Sequence, residues 1–358
     1  MYKENDKQNS FFGDLIYETI VPKDHFLRRL TAAIDFSFVN ELCKELYSQD
    51  NGRPCWEPQV LFKVLLLQYL YNLSDTVVEN EICDRLSFKW FLGIDADDRP
   101  PDATTLVRFR DRLGTERFAK AFNHIVETAR KSNLVSDQLH IVDATTIKAK
   151  VDIFRIHHKH DHEYPNNDVS PQDMVKHSPD KDARFGYSTM EGMIYGYKGY
   201  VQMDKDSEII VSSTVDSANK QEYNHLEELI DGTVEKPEAL TADKAYDTRQ
   251  VNELLIRKDI RSGVIHKKEP KKPVAGIFYQ KTPRPKEEEL YFKRKRLAVE
   301  HKIAELKRWH NLRFARFIGL IKTKIQMFLT CIAVNVKRIV KLISQGISPP
   351  WKNTVTPD

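Results

Sequence analysis

From the first residue to about 134, apolar positions recur every three or four residues with few β-branched runs, a helical period. Pro58 opens the strongest of these segments, 59–71, in the first-turn position where proline is tolerated. Ser74 and Asp75 are placed to cap the next, which runs through Val77, Ile82 and Leu86. Asp102 or Thr104 can cap a further short helix, and Gly114 stands where that helix would close. At Leu139 the period changes. Strands are predicted near 139–147, 195–203 and 208–215, the last two joined by the turn Asp204-Lys-Asp-Ser207. A helix at 221–230, a strand at 239–242, a helix at 248–257 and a strand at 262–266 follow. The polar stretch 155–185 reads as an extended loop, and Pro270, Pro273, Pro283 and Pro285 mark an irregular connection into a long helix around Glu300.

The order β-β-β-α-β-α-β-α is that of the ribonuclease-H-like fold, a mixed sheet with three antiparallel strands first and helices on its faces. The predicted class is therefore α+β or α/β. An all-helical N-terminal domain (1–134) precedes a ribonuclease-H-like mixed-sheet domain (135–345) with C-terminal helices, and 346–358 is a tail. Asp143 falls on the first strand, Asp243 at the end of the fourth, and Glu300 on the last helix. The first and fourth strands are neighbours in such a sheet, so the two aspartates are expected side by side with Glu300 over them. Carboxylates gathered in this way suit divalent cations, and two cations can drive phosphodiester cleavage.

Charge adds a polyanion to the picture. From Arg257 onward there are 25 Lys and Arg against 8 Asp and Glu, whereas the preceding residues carry 31 against 44, so a net charge of +4 conceals a basic last third. Arg108, Arg110 and Arg112 end the helical region, which suits a helix-turn-helix-like DNA-binding domain as well as a plain bundle; only Arg108 and Arg112 share a helical face. Four scattered cysteines with no metal or redox spacing, a polar start without signal-peptide character and lysines interrupting the greasiest stretch, 317–340, favour a cytoplasmic protein. His157-His158-Lys-His160-Asp-His162 is the one local metal-like cluster, and it reads as a solvated loop for want of cysteine partners.

On the long basic helix, Arg296, Glu300 and Lys307 project from one narrow arc at 100° per residue, bordered by the apolar stripe Val299, Ile303 and Leu306. A cation, an acid and a cation in a row fit a metal-holding carboxylate between two phosphate grips; an intrahelical ion-pair network fits as well. Glu305 lies far around the helix from Glu300, Glu287 to Glu289 read as first-turn partners of the helix dipole, and Asp247 reads as the cap of the helix that follows it.

The spacing Arg296, three residues, Glu300, six residues, Lys307 resembles the R-(3)-E-(6)-K part of the Y-(2)-R-(3)-E-(6)-K signature of bacterial insertion-sequence transposases. The tyrosine position of that signature is Lys293, with Tyr291 two residues earlier. Val142-Asp143-Ala-Thr-Thr-Ile-Lys-Ala and Leu240-Thr-Ala-Asp243-Lys-Ala-Tyr-Asp247 resemble the two aspartate motifs of the Insertion Sequence 5 group and its relatives, and 101–113 resembles the end of their N-terminal domain. The resemblance spans roughly residues 10–340 and implies a DDE transposase, which cleaves strands at the ends of a mobile element and transfers the 3′-hydroxyl into target DNA. It implies Asp143, Asp243 and Glu300 as catalytic acids on two Mg²⁺ ions, with Mn²⁺ as a substitute. It further implies DNA contacts from Arg296 and Lys307, and more weakly from Arg108 and Arg112. The partners implied are double-stranded DNA, as terminal inverted repeats and target, and further copies of the chain in a homodimer or larger assembly at the bacterial nucleoid. A ribonuclease-H-like nuclease without strand transfer, or a DNA-binding remnant without catalysis, are the alternatives.

Overall fold

The computed structural model describes residues 11–48, 55–153, 155, 175–188, 191–267 and 284–346; the histidine-rich stretch 157–162 lies outside them. They group into two compact units: the first runs up to Ser132 and includes Trp309–Asn311 and the chain from Phe328, and the second holds Asn133–Arg308 and Leu312–Met327.

The first unit is helical: α1 (Phe11–Ile20), α2 (Phe26–Ala33), α3 (Phe38–Cys43), α4 (Pro58–Leu70), α5 (Asp75–Asp84), α6 (Leu86–Leu92) and α7 (Ala103–Lys131). Helix α4 has Pro58 in its first turn and is apolar nearly all round, so Val60, Leu61, Phe62, Val64, Leu65, Leu66, Leu67 and Tyr69 are all buried. Ser74 caps α5 by accepting from the Val77 amide, and Asp102 caps α7 by accepting from Thr105 at 2.7 Å. Gly114 closes the first segment of α7, at the position the sequence marks. It breaks α7 with a left-handed φ of 64°, after which the helix resumes.

The second unit carries a six-stranded mixed sheet: β1 (Leu139–Lys148), β2 (Arg184–Ser188), β3 (Gly192–Asp204), β4 (Ile210–Ser217), β5 (Ala239–Thr241) and β6 (Arg261–Ser262). β3 runs antiparallel to β1 on one side and to β2 and β4 on the other, and β1, β5 and β6 run parallel. This is the topology that the apolar runs predict, with one strand added. β2 begins at the end of the stretch expected to be loop, 155–185, and abuts the end of β4, where a Cβ on Gly186 would lie 2.3 Å from the Ala218 carbonyl oxygen. β6 is shorter than expected, yet its ladder continues through Gly263 N to Leu240 O and Ile265 N to Ala242 O.

Helices α8 (Leu226–Asp231) and α9 (Arg249–Arg257) cover one face of this sheet through a core of Val142, Tyr200, Leu226, Leu229, Leu240, Ala242, Tyr246 and Leu255. Helix α10 (Lys286–Trp309) covers the other, where Phe292 packs with Leu139, Ala239 and Ile265. Alternation along β1 divides the two cores, with Leu139 on one side and Val142 and Ala144 on the other. A last helix, α11, spans Leu320–Ser344. Among the described residues no helix is long and apolar enough to cross a membrane.

Candidate active site

β1 and β5 pair in parallel register, Leu139 with Ala239, His140 with Leu240 and Ile141 with Thr241. Asp143 and Asp243 each lie two residues beyond the last of these pairs. Asp243 therefore lies just past the carboxyl end of β5, while Asp143 stays within β1, paired with Val201 of β3, at the level where β5 stops. β5 ends here because Asp243 turns the chain. Its Oδ1 accepts from the Ala245 amide at 2.7 Å and caps the short 3-10 turn Lys244–Tyr246. Asp143 is held in a similar way by the Ala144 amide, 2.9 Å from its Oδ1. In each carboxylate a backbone donor therefore fixes one oxygen.

The sheet face that carries Asp143 is the one that α10 covers. Phe292 sits over Gly263, where an added Cβ would come within 2.6 Å of the ring, and this close approach seats the helix. One turn on, the Arg296 guanidinium reaches Asp143 Oδ2 at 3.1 Å and Glu300 Oε1 at 2.6 Å. A cation thus joins the first aspartate to the helical acid. Three turns beyond Arg296, Lys307 donates to Thr146 Oγ1 at 3.1 Å and to Glu191 Oε1 at 3.2 Å, and the Thr146 hydroxyl donates to Glu191 Oε2 at 3.2 Å. Arg296 and Lys307 reach β1 or its border, while Glu300 meets Arg296 with 47% of its side chain exposed, and each cation is engaged with an acid.

Burial is the first cause that pushes the Asp143 carboxyl up to about 6, and the charges of Asp243 and Glu222 add to it, against the opposing pull of Arg296 and the Ala144 amide. A buried carboxylate that resists ionisation beside further acids is a place that favours an incoming cation. The donor set is hard oxygen throughout, which suits Mg²⁺ or Mn²⁺ over soft metals. Among the described residues no three His, Cys, Asp or Glu side chains stand together in the arrangement that a metal ion needs. Arg296 is interposed between two of the acids instead.

The competing acids have other roles. Glu305 pairs with Lys302 at 2.9 Å, and Glu288 pairs with Arg261 at 2.7 Å. Asp247 does not cap α9. That cap is Thr248, whose Oγ1 accepts from the Val251 amide at 3.3 Å, while Asp247 Oδ2 accepts from the Lys267 amide at 2.6 Å. The hydroxyl wins because a threonine directly before the first helical turn reaches the amide that a residue further back overshoots. Arg108 and Arg112 are exposed on α7, with the Arg112 guanidinium 4.6 Å from the Tyr47 ring centre. Arg110 is buried and donates to Asp75 Oδ1 at 2.7 Å.

Two acids beside this region escape sequence reasoning. Glu191 precedes β3 and gathers Lys307, Thr146 and, at 3.9 Å, Lys148. Glu222 follows β4 in a 3-10 turn and pairs with Lys198 at 3.0 Å. Both lie in connections, outside any apolar run or spaced motif, so no local signal marks them.

Residues 136–336 match the family model described as Transposase DDE domain, and residues 15–112 match the one described as Transposase domain (DUF772). Among solved structures, the chain is similar to the cryo-EM structure of a piggyBac transposase synaptic complex with hairpin DNA, at a TM-score of 0.41 and 9% identity, covering 93% of this chain and 78% of that one.

Proposed function

The chain belongs to the Transposase DDE domain family and is a DNA transposase, and on that premise we propose that Asp143, Asp243 and Glu300 are the acids with which it cuts element ends. The observation that carries this reading is the placement of Asp143 and Asp243 two residues past the same β1–β5 pair, with Glu300 joined to Asp143 through Arg296. Members of the family generally use divalent metals. We assign Mg²⁺, as two ions that Mn²⁺ can replace, to the three acids. When bound, such ions activate water or a 3′-hydroxyl and stabilise the departing oxygen.

The chain's own residues supply orientation. The Ala144 and Ala245 amides each hold one oxygen of an aspartate, so Asp143 and Asp243 present their remaining oxygens in defined directions. Asp143 keeps only 16% of its side chain exposed, which strengthens the charge interactions there. Arg296 carries a planar fork suited to two phosphate oxygens, and Lys307 adds a point charge about three turns further along α10. We assign both to the DNA backbone beside the cut, and the exposed Arg108 and Arg112 to the element ends.

The partners in this reading are double-stranded DNA, as terminal repeats and target, and a second copy of the chain or more on paired ends; the place of action is the cytoplasm, at the nucleoid. The test is incubation with the flanking element's ends in Mg²⁺ or chelator, with both strands of every product mapped. Mg²⁺-dependent cleavage followed by joining of the 3′ end to target supports transposition. Nicking with no joined product at any target concentration contradicts it.

A further inference from the structure

Where β1 runs on past β5, one of its edges stands open. From Val142 to Ile147 that edge has no strand partner among the described residues, and pairing resumes only at Lys148. There the segment between α10 and α11 docks: Lys148 N donates to Arg313 O at 2.9 Å, and Ala315 N donates to Lys148 O at 2.8 Å. The rest of the segment is fixed from beneath. Gln326, fully buried, accepts from the Arg316 amide at 2.7 Å and donates to Phe314 O at 2.9 Å. The Leu320 amide donates to Asp182 Oδ2, also at 2.9 Å. On this pinned backbone Phe314, Ile318 and Ile321 are 48%, 46% and 65% exposed, and exposed Arg313 and Lys322 flank them. Single exposed apolar side chains need no explanation. Three of them between two cations, on a backbone held this closely, suit a partner that offers both apolar faces and negative charge.

Contacts tie this segment to the proposed DNA surface. Phe314 and Lys148 are partners in a parallel bridge, so their side chains lie on the same face. Thr146, two residues earlier on that face, takes the Lys307 contact, and Lys148 Nζ lies 3.9 Å from Glu191, which Lys307 also holds. Asp143 and Lys148 stand five positions apart on one strand, which is about 17 Å, the length of five base-pair steps. We propose that Phe314 is an apolar wedge that enters the DNA at a base step within about five steps of the cut, with Arg313 on a neighbouring phosphate. The inference rests on the assignment of Lys307 to the DNA backbone above. Phosphate contacts account for the cations but not for the ring. Base faces are the apolar surface that DNA offers, and a wedge reaches them by unstacking one step. The pinned backbone serves this role, because a wedge on a yielding support would move before the stacked bases did.

The experiment is binding of the full chain to duplex DNA carrying the element end, with a fluorescent adenine analogue that brightens on unstacking placed at each position near the cut in turn. The proteins are the parent, Phe314→Ala, Phe314→Gln, Phe314→Trp, Arg313→Ala and Lys307→Ala, with melting and sedimentation of each in the absence of DNA. The parent is expected to brighten the analogue at one step within the stated reach. Phe314→Ala and Phe314→Gln are expected to melt as the parent does, to lose that signal and to bind about 10-fold more weakly. Their salt dependence should equal the parent's, since no phosphate contact is removed, whereas Arg313→Ala should lower the slope of log K against log salt by about one. Phe314→Trp should keep the signal. Parental signal and affinity in a Phe314 variant that lacks the ring, with binding weakened in Lys307→Ala, overturns the wedge and leaves Lys307 on the DNA. Parental binding in Lys307→Ala as well overturns both assignments. No brightening at any step in the parent overturns the wedge, and so does lowered melting in both Phe314→Ala and Phe314→Gln, which makes the ring a structural one. Sedimentation altered in Phe314→Ala without DNA gives the patch to a second copy of the chain and overturns the wedge too.

Discussion

Arg296 and Asp143 form a 3.1 Å ion pair between α10 and β1, 153 positions apart in sequence, and the same guanidinium holds Glu300. A positive charge therefore already bridges two of the acids. The site is built so that its carboxylates are stabilised by a cation, and Arg296 provides one from within the chain. Four consequences can be measured.

The first concerns pH. Asp143 has a folded pKa raised from 3.8 to about 6, so between these values the folded chain binds more protons than the unfolded one. Its contribution favours folding below about pH 4 and is lost as pH rises through 6. Asp143→Asn removes this penalty while Arg296 retains Glu300. In chelator, urea unfolding is expected to show the variant more stable than the parent by about 1–2 kcal/mol at pH 7.5, with the gain gone at pH 4. A difference that does not change with pH contradicts the assignment.

The second concerns the ion pair. Arg296→Ala leaves Asp143 buried beside Asp243 and Glu222 without its counter-charge, and is expected to cost roughly 1–3 kcal/mol in chelator at pH 7.5. In the double variant with Asp143→Asn most of that cost should vanish, because the neutral amide no longer needs the guanidinium. Strict additivity in the double-mutant cycle would show that the two side chains do not interact.

The third concerns Lys307. Glu191 accepts from Lys307 and from Thr146 where a phosphate oxygen would be welcome. Glu191→Gln is expected to tighten binding of short duplex DNA at low salt, and Lys307→Ala to weaken it and to lower the slope of log K against log salt by about one. Binding that ignores both changes would remove Lys307 from the DNA surface.

Much of this arrangement is legible in the sequence, because the informative signals are local. The apolar runs ending in Asp143 and Asp243 are the strands β1 and β5, and the hundred-residue offset between the aspartates is the register of that pair. The wheel that puts Arg296 and Glu300 on one arc is realised as their 2.6 Å contact. What the sequence withholds is tertiary. β2 reads Arg-Phe-Gly-Tyr-Ser, too polar and half-exposed for a strand, and becomes one only because β3 offers an edge and Gly186 allows Ala218 to approach. Glu191 and Glu222 carry no periodic or motif signal, since their partners Lys307 and Lys198 are 116 and 24 positions away. Helical periodicity alone could likewise show that Arg296 and Glu300 share an arc, but not that the guanidinium would stand between two acids.

The most direct test is strand cleavage of duplex DNA carrying the element ends, in Mg²⁺ and at a salt concentration where binding is saturated, by the parent, Asp143→Asn, Asp243→Asn and Glu300→Gln. The account predicts that each single variant loses cleavage by at least roughly 100-fold while DNA affinity changes by less than about 3-fold, as removal of a group that acts on the transition state requires. Cleavage at the parental rate by any one of the three, with the other two inactive, would contradict a site in which all three acids share the reaction.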